Sequence, residues 1–93
     1  MTIQEIARAF DMTLKDFSQY IGYSRPELYH IASGKHEPRY SRVITARNKL
    51  VLLNEQLYEK EKKKIYGRAL KRREAIEAFE KSLLNGGDIN AQE

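Results

Sequence analysis

The 93-residue chain has no cysteine, which excludes both a disulfide framework and a thiolate metal site. Its two histidines, His30 and His36, are too few to make a metal site without cysteines or paired carboxylates beside them. No apolar run approaches the roughly 20 residues of a membrane span. The opening MTIQEIARAF is polar and amphipathic, not a signal peptide, so a soluble, cytoplasmic protein is expected. Proline is scarce: there are two in the chain and none between Ser41 and Asn85, where the one glycine is Gly67. That stretch has nothing to break a helix. No serine or histidine has a catalytic partner set, and Gly86-Gly87 reads as a helix end, not a phosphate loop. Catalysis, a cofactor and a small-molecule ligand are therefore not expected.

An apolar fraction of 41% permits a small core, and 32% charged residues leave much surface exposed. Domains of this size often gain stability by oligomerising. The net charge of +4 suits an anionic partner, but its distribution says more. Residues 1–40 balance five Lys/Arg against five Asp/Glu, whereas residues 59–73 hold eight Lys/Arg against two Glu, and residues 74–93 are acidic.

Ile3, Ile6, Ala7 and Phe10 recur at helical spacing behind a Thr2 cap and predict a first helix over 2–10. Thr13 can cap a second over 14–21, with Leu14, Phe17, Ser18 and Ile21 inward. Gly22 suits a sharp turn. Ser24 and Glu27 form a capping box that opens a third helix, with Pro26 tolerated in its first turn, Leu28 and Ile31 inward, and Gly34 at its end. Pro38 marks 35–39 as a loop.

Beyond it, Val43, Ala46, Leu50, Leu53 and Leu57 make a 3-4-3-4 seam. Ile65, Ala69, Ile76, Phe79 and Leu83 make another, with Arg72 in the missing slot. A straight helix would turn the two seams apart, so two helices over 41–63 and 65–85 are expected, continuous with a phase shift or bent near Gly67. The division read is 1–50, 41–85 and a tail over 86–93. The simplest use of the seams is self-association through Leu50, Leu53, Leu57, Ile76, Phe79 and Leu83; the alternative is that these helices fold back onto the core.

Residues 13–38, TLKDFSQYIGYSRPELYHIASGKHEP, resemble the helix-turn-helix of the lambda-repressor/Cro-like (XRE) family. Phe17 takes the large apolar position and Ser18 the small crossing position, usually alanine. Gly22 is the turn glycine, followed by apolar Tyr23 and the Ser24 cap. Leu28 and Ile31 are the inward pair, and Gly34-Lys35-His36-Glu37-Pro38 is similar to the family's G-K-x-x-P ending. A rival register starting at Thr2 puts Asp11 at the turn-glycine place and Tyr20 at an inward β-branched place, and both fit poorly. Leu14 departs from the frequent phosphate-clamping glutamine, a task left to Lys15 or backbone amides. Ala32 replaces a frequent glutamate.

The resemblance, over residues 1–50, implies an all-α fold with a compact lambda-repressor-like domain followed by one long or two C-terminal helices. It implies a DNA-binding transcriptional regulator, a dimeric repressor of a phage, plasmid or other mobile element. Antitoxin and host-protein-binding phage inhibitor are the alternatives, with a protein partner on the C-terminal helices. Arg25, Pro26 and His30 match base-reading positions, with Glu27 and Tyr29 beside them, although the cap competes for Glu27. Lys15, Ser33, Lys35, Arg39 and Arg42 are candidates for phosphate contact. Lys62, Lys63, Lys64 and Arg68 are read as a solvated face, as an extra phosphate arm, or as docking onto acidic protein, including residues 74–93 of a partner subunit.

Overall fold

In the computed structural model, which describes residues 1–85, five helices follow one another and no strand occurs among the described residues. They are α1 (Ile3–Ala9), α2 (Leu14–Ile21), α3 (Arg25–Ala32), α4 (Tyr40–Lys60) and α5 (Tyr66–Asn85). The tail expected at 86–93 lies outside the described residues. Among those residues no helix is long and apolar enough to cross a membrane.

The first three helices begin where their caps dictate. Thr2 Oγ1 accepts from the Glu5 amide at 3.1 Å while the Thr2 amide donates to Glu5 Oε1 at 3.0 Å. Thr13 Oγ1 accepts from the Asp16 amide at 3.1 Å. Ser24 and Glu27 repeat the reciprocal pair at 3.2 and 3.0 Å. Each contact satisfies amide donors that have no acceptor inside the first helical turn. Gly22, at φ 79°, ends α2 in the left-handed region and turns the chain into α3.

The C-terminal half corrects one expectation. Leu50, Phe79 and Leu83 are wholly buried and Ile76 nearly so, in one core that also holds Ile3, Ile6, Phe17 and Leu28. Leu53 and Leu57 are half-buried against the same core. Leu50, Ile76, Phe79 and Leu83 are thus used inside the monomer and are not free to form an intermolecular seam, and Leu53 and Leu57 are in part engaged there too. The physical reason is chain reversal: α5 returns along α4 and packs against α1 and α3, so both seams face one interior, except Ile65, which lies in the turn and is 42% exposed. The eight-residue offset that would separate them on a straight helix disappears in a hairpin.

The break falls at 61–65, not at Gly67, which sits in the first turn of α5 with no neighbour a side chain would meet. Lys62 and Lys63 make the reversal with φ of 55° and 56°. Arg72, in the slot where the seam lacks an apolar residue, is 2% exposed and closes the hairpin from inside. Its Nε donates to Asn54 Oδ1 at 2.6 Å, and Nη2 and Nη1 donate to the two Glu61 oxygens at 2.8 and 3.3 Å. Asn54 Nδ2 in turn donates to the Ala69 carbonyl at 3.1 Å.

Candidate nucleic-acid interface

The phase of α3 is set by what it buries. Leu28, Ile31 and Ala32 face the core, which leaves Arg25, Pro26, His30 and Ser33 exposed on the other side. Tyr29 is half-buried against the core. The Ser33 hydroxyl donates back to the His30 carbonyl at 3.2 Å. After the helix the chain curls over its end: the Lys35 amide donates to the His30 carbonyl at 2.8 Å, and the His36 ring stacks on His30 with centroids 5.0 Å apart and planes 6° apart. A groove of about 310 Å³ beside α3 is lined by Tyr23, His30, His36, Glu37, Arg39 and Arg42, among others.

Lys35 and Arg39 are exposed around that end, and Lys15 is exposed in the first turn of α2. Lys62, Lys63, Lys64 and Arg68 are exposed too, but at the opposite end of α4. On α4, Lys60 lies eighteen residues after Arg42, about 27 Å of helix, and Lys62 follows beyond it. Lys63 pairs with Glu59 at 3.3 Å, and Arg68 lies 3.9 Å from Glu61. The structure therefore gathers one basic set around α3 and holds the other apart from it. No group of three or more His, Cys, Asp or Glu suited to a metal ion occurs among the described residues.

Two candidate site residues have other employment. Glu27 Oε1 accepts from the Ser24 amide, and Oε2 accepts from Arg42 Nη1 at 2.8 Å, so each oxygen already holds a partner within the chain. Arg42 is not a free phosphate contact either. Its Nη2 donates to the Gly22 carbonyl at 2.6 Å, and its guanidinium lies 4.0 Å from the Tyr23 ring centroid. Seven residues on, and so on the same side of α4, Lys49 Nζ donates to the Tyr20 carbonyl at 3.1 Å. Arg42 and Lys49 thus satisfy carbonyls at the C-terminal end of α2, where cations are favoured, and fix the turn before α3. Beneath them Tyr23 is 4% exposed, and burial pushes its phenol above the ordinary range.

The Arg42 hydrogen bond, with the Ser24 amide behind it, lowers the Glu27 carboxyl from 4.5 to about 2. A folded-state value below the unfolded one means that ionised Glu27 stabilises the fold above pH 4.5 and loses that effect as pH falls toward about 2. Both side chains are more than a third exposed, at 39% and 44%, so solvent screens the pair. Glu27→Gln is expected to cost about 1 kcal/mol near neutral pH. The gap from the parent should close on acidification in a denaturant titration run at several pH values. A gap independent of pH would show that the carboxylate charge is not its source. Glu61, held down mainly by Arg72, and Glu5, held down by the Thr2 cap, shift in the same direction and survive in both proteins.

No protein-family model matches the chain, and no curated protein or solved structure matches it.

Proposed function

We propose that this chain is a dimeric, sequence-specific DNA-binding regulator of transcription. In this reading α2, the Gly22 turn and α3 form a helix-turn-helix of the lambda-repressor/Cro-like kind, and α3 enters the major groove. The observation that carries the reading is the outer side of α3: Arg25, Pro26 and His30 are exposed near its capped start while Leu28, Ile31 and Ala32 anchor the other side. A rigidly seated helix with a guanidinium in its first turn is what direct readout of a base edge requires. Arg25 pairs bidentately with guanine O6 and N7, Pro26 touches a thymine methyl, and His30 donates or accepts. Lys15, Lys35 and Arg39 hold phosphates and set the register. The basic turn at 62–64 is a separate, sequence-independent phosphate contact. Occupying an operator and blocking transcription is the mechanism, as in repressors of phages and plasmids, and it places the protein in the cytoplasm with no chemistry to perform.

Selection from a random duplex pool tests this. An enriched palindrome is expected, its half-sites separated by one helical turn or a multiple of it. Arg25→Ala should then weaken the selected site by about 1–3 kcal/mol and leave a scrambled duplex unchanged. Equal losses on both duplexes would remove Arg25 from base reading. A pool that yields no preferred sequence would overturn the function.

A further inference from the structure

With Ala69, Arg72, Ile76, Phe79 and Leu83 turned inward, the adjacent stripe of α5 is exposed at Tyr66, Leu70, Arg73 and Glu77 and half-buried at Glu80 and Leu84. It consists of Tyr66, Leu70, Arg73, Glu77, Glu80 and Leu84, at intervals of 4-3-4-3-4, the spacing of a helix-pairing seam. Tyr66 and Leu70 are 57% and 40% exposed, large apolar groups left in water. The stripe borders a trough between α5 and α4. Two grooves of about 320 and 120 Å³ share Asn54, Glu55 and Arg73 and so run together, from the Arg47–Glu80 pair at one end to Tyr58 and Tyr66 at the other.

Arg73 and Glu77 make no ion pair among the described residues, although they are four apart on one helix. Arginine preceding the acid is the weaker order for such a pair. Two unpaired opposite charges thus sit in the middle of the outward stripe, with apolar groups at its two ends. The spacing reads alike in both directions, and the two central charges are opposite in sign. Reversal about residue 75 exchanges 73 with 77, 70 with 80 and 66 with 84.

We propose that this trough is the homodimer interface, occupied by the same α4–α5 hairpin of a second copy, antiparallel, in a four-helix arrangement. Arg73 then meets Glu77 of the partner subunit twice over, and Tyr66 meets Leu84 of the partner subunit at both ends. Leu70 lies over Glu80 of the partner subunit, whose carboxylate is drawn aside to Arg47 at 3.2 Å and whose methylenes remain as the contact. A two-fold interface needs a surface complementary to itself, and the Arg73–Glu77 centre and the Tyr66–Leu84 ends of this stripe supply one. A parallel copy would set arginine against arginine and acid against acid, which selects the antiparallel pairing. This deepens the dimeric part of the function proposed above and rests on that part alone, not on DNA binding.

Charge reversal on the full chain, read by sedimentation equilibrium, tests the face. The parent should be a dimer. Arg73→Glu and Glu77→Arg should each weaken association at least about tenfold, and the two together should restore it, because each pair re-forms with its signs exchanged. Both positions are exposed, so circular-dichroism melts of the dilute variants should match the parent. A monomeric parent overturns the dimeric reading and this face with it. A dimer indifferent to the single reversals, or not rescued by the double, overturns this face and leaves a dimer built elsewhere. Rescue with no DNA sequence selected upholds the face and removes the DNA-binding function.

Discussion

Phe79→Ala should lower the stability of the chain by about 3–5 kcal/mol, by the same amount at low and high protein concentration. Phe79 is wholly buried, with its ring edge-on to Phe17 at 6.0 Å between centroids, and Phe17 is itself wholly buried and 6.4 Å from Phe10. The ring therefore joins α5 to the N-terminal helices, and truncation leaves a cavity walled by side chains from several elements that cannot all collapse into it. Native domains are stable by only about 5–15 kcal/mol, so the loss is a large share of the total. Urea titrations at two concentrations, compared with the parent at each, check both claims. Had Phe79 lain in an intermolecular seam, the deficit would shrink as concentration rose and dimer reformed. A shrinking deficit would therefore undo the fold-back arrangement.

That contrast marks where the sequence was legible. The caps at Thr2, Thr13 and Ser24 act over three residues and Gly22 acts at its own φ, so α1, α2 and α3 could be read with bounds close to the observed ones. Periodicity also found the faces of α4 and α5 that are buried. It could not say against what, because a 3-4 repeat reports that a face is covered and carries nothing about the partner. The hairpin turn left no signal at all. Left-handed φ is ordinarily a glycine or asparagine preference, whereas here two lysines adopt it, at roughly 1–2 kcal/mol each. Gly67, the residue that looked like the break, is an ordinary helical position.

The candidate site divides along the same line. The exposed side of α3 follows from Leu28 and Ile31 alone, because they fix the phase of eight residues. The engagement of Glu27 by Arg42 spans 15 residues and that of Lys49 with Tyr20 spans 29, and no local rule reaches so far. One usable signal was present: Arg42 and Lys49 are seven apart, on a single side of the helix beside Ala46, where a basic pair can straddle the end of a preceding helix. The His30–His36 stack depends on how Gly34, at φ 81°, bends the chain back, which spacing does not reveal.

Arg72→Ala should be comparably damaging, at about 3–5 kcal/mol, for a different reason. Its 2% exposed guanidinium makes hydrogen bonds of 2.6, 2.8 and 3.3 Å, and no other Lys, Arg, Asp or Glu is buried to this degree among the described residues. Truncation removes packing volume and also strands the groups that received those bonds. Among the described residues Glu61, 14% exposed on its side chain, keeps only Arg68 at 3.9 Å, and Asn54 Oδ1 loses its 2.6 Å donor. Glu61 also follows the last turn of α4 and precedes the two left-handed lysines, so the arginine offsets the strain of the reversal by tying α4, the turn and α5 at one point. In a domain of this size the loss corresponds to a fall in Tm of about 12–40 °C. Arg72→Met should cost less, because it refills the volume. Arg72→Met with Glu61→Gln should cost less again, because a carboxylate without its counter-ion is removed as well. Thermal melts establish the order, and amide exchange over residues 61–66 should quicken most in the alanine variant. If Arg72→Met with Glu61→Gln were no more stable than Arg72→Met alone, the stranded carboxylate would not be the source of the loss, and packing volume would account for it instead.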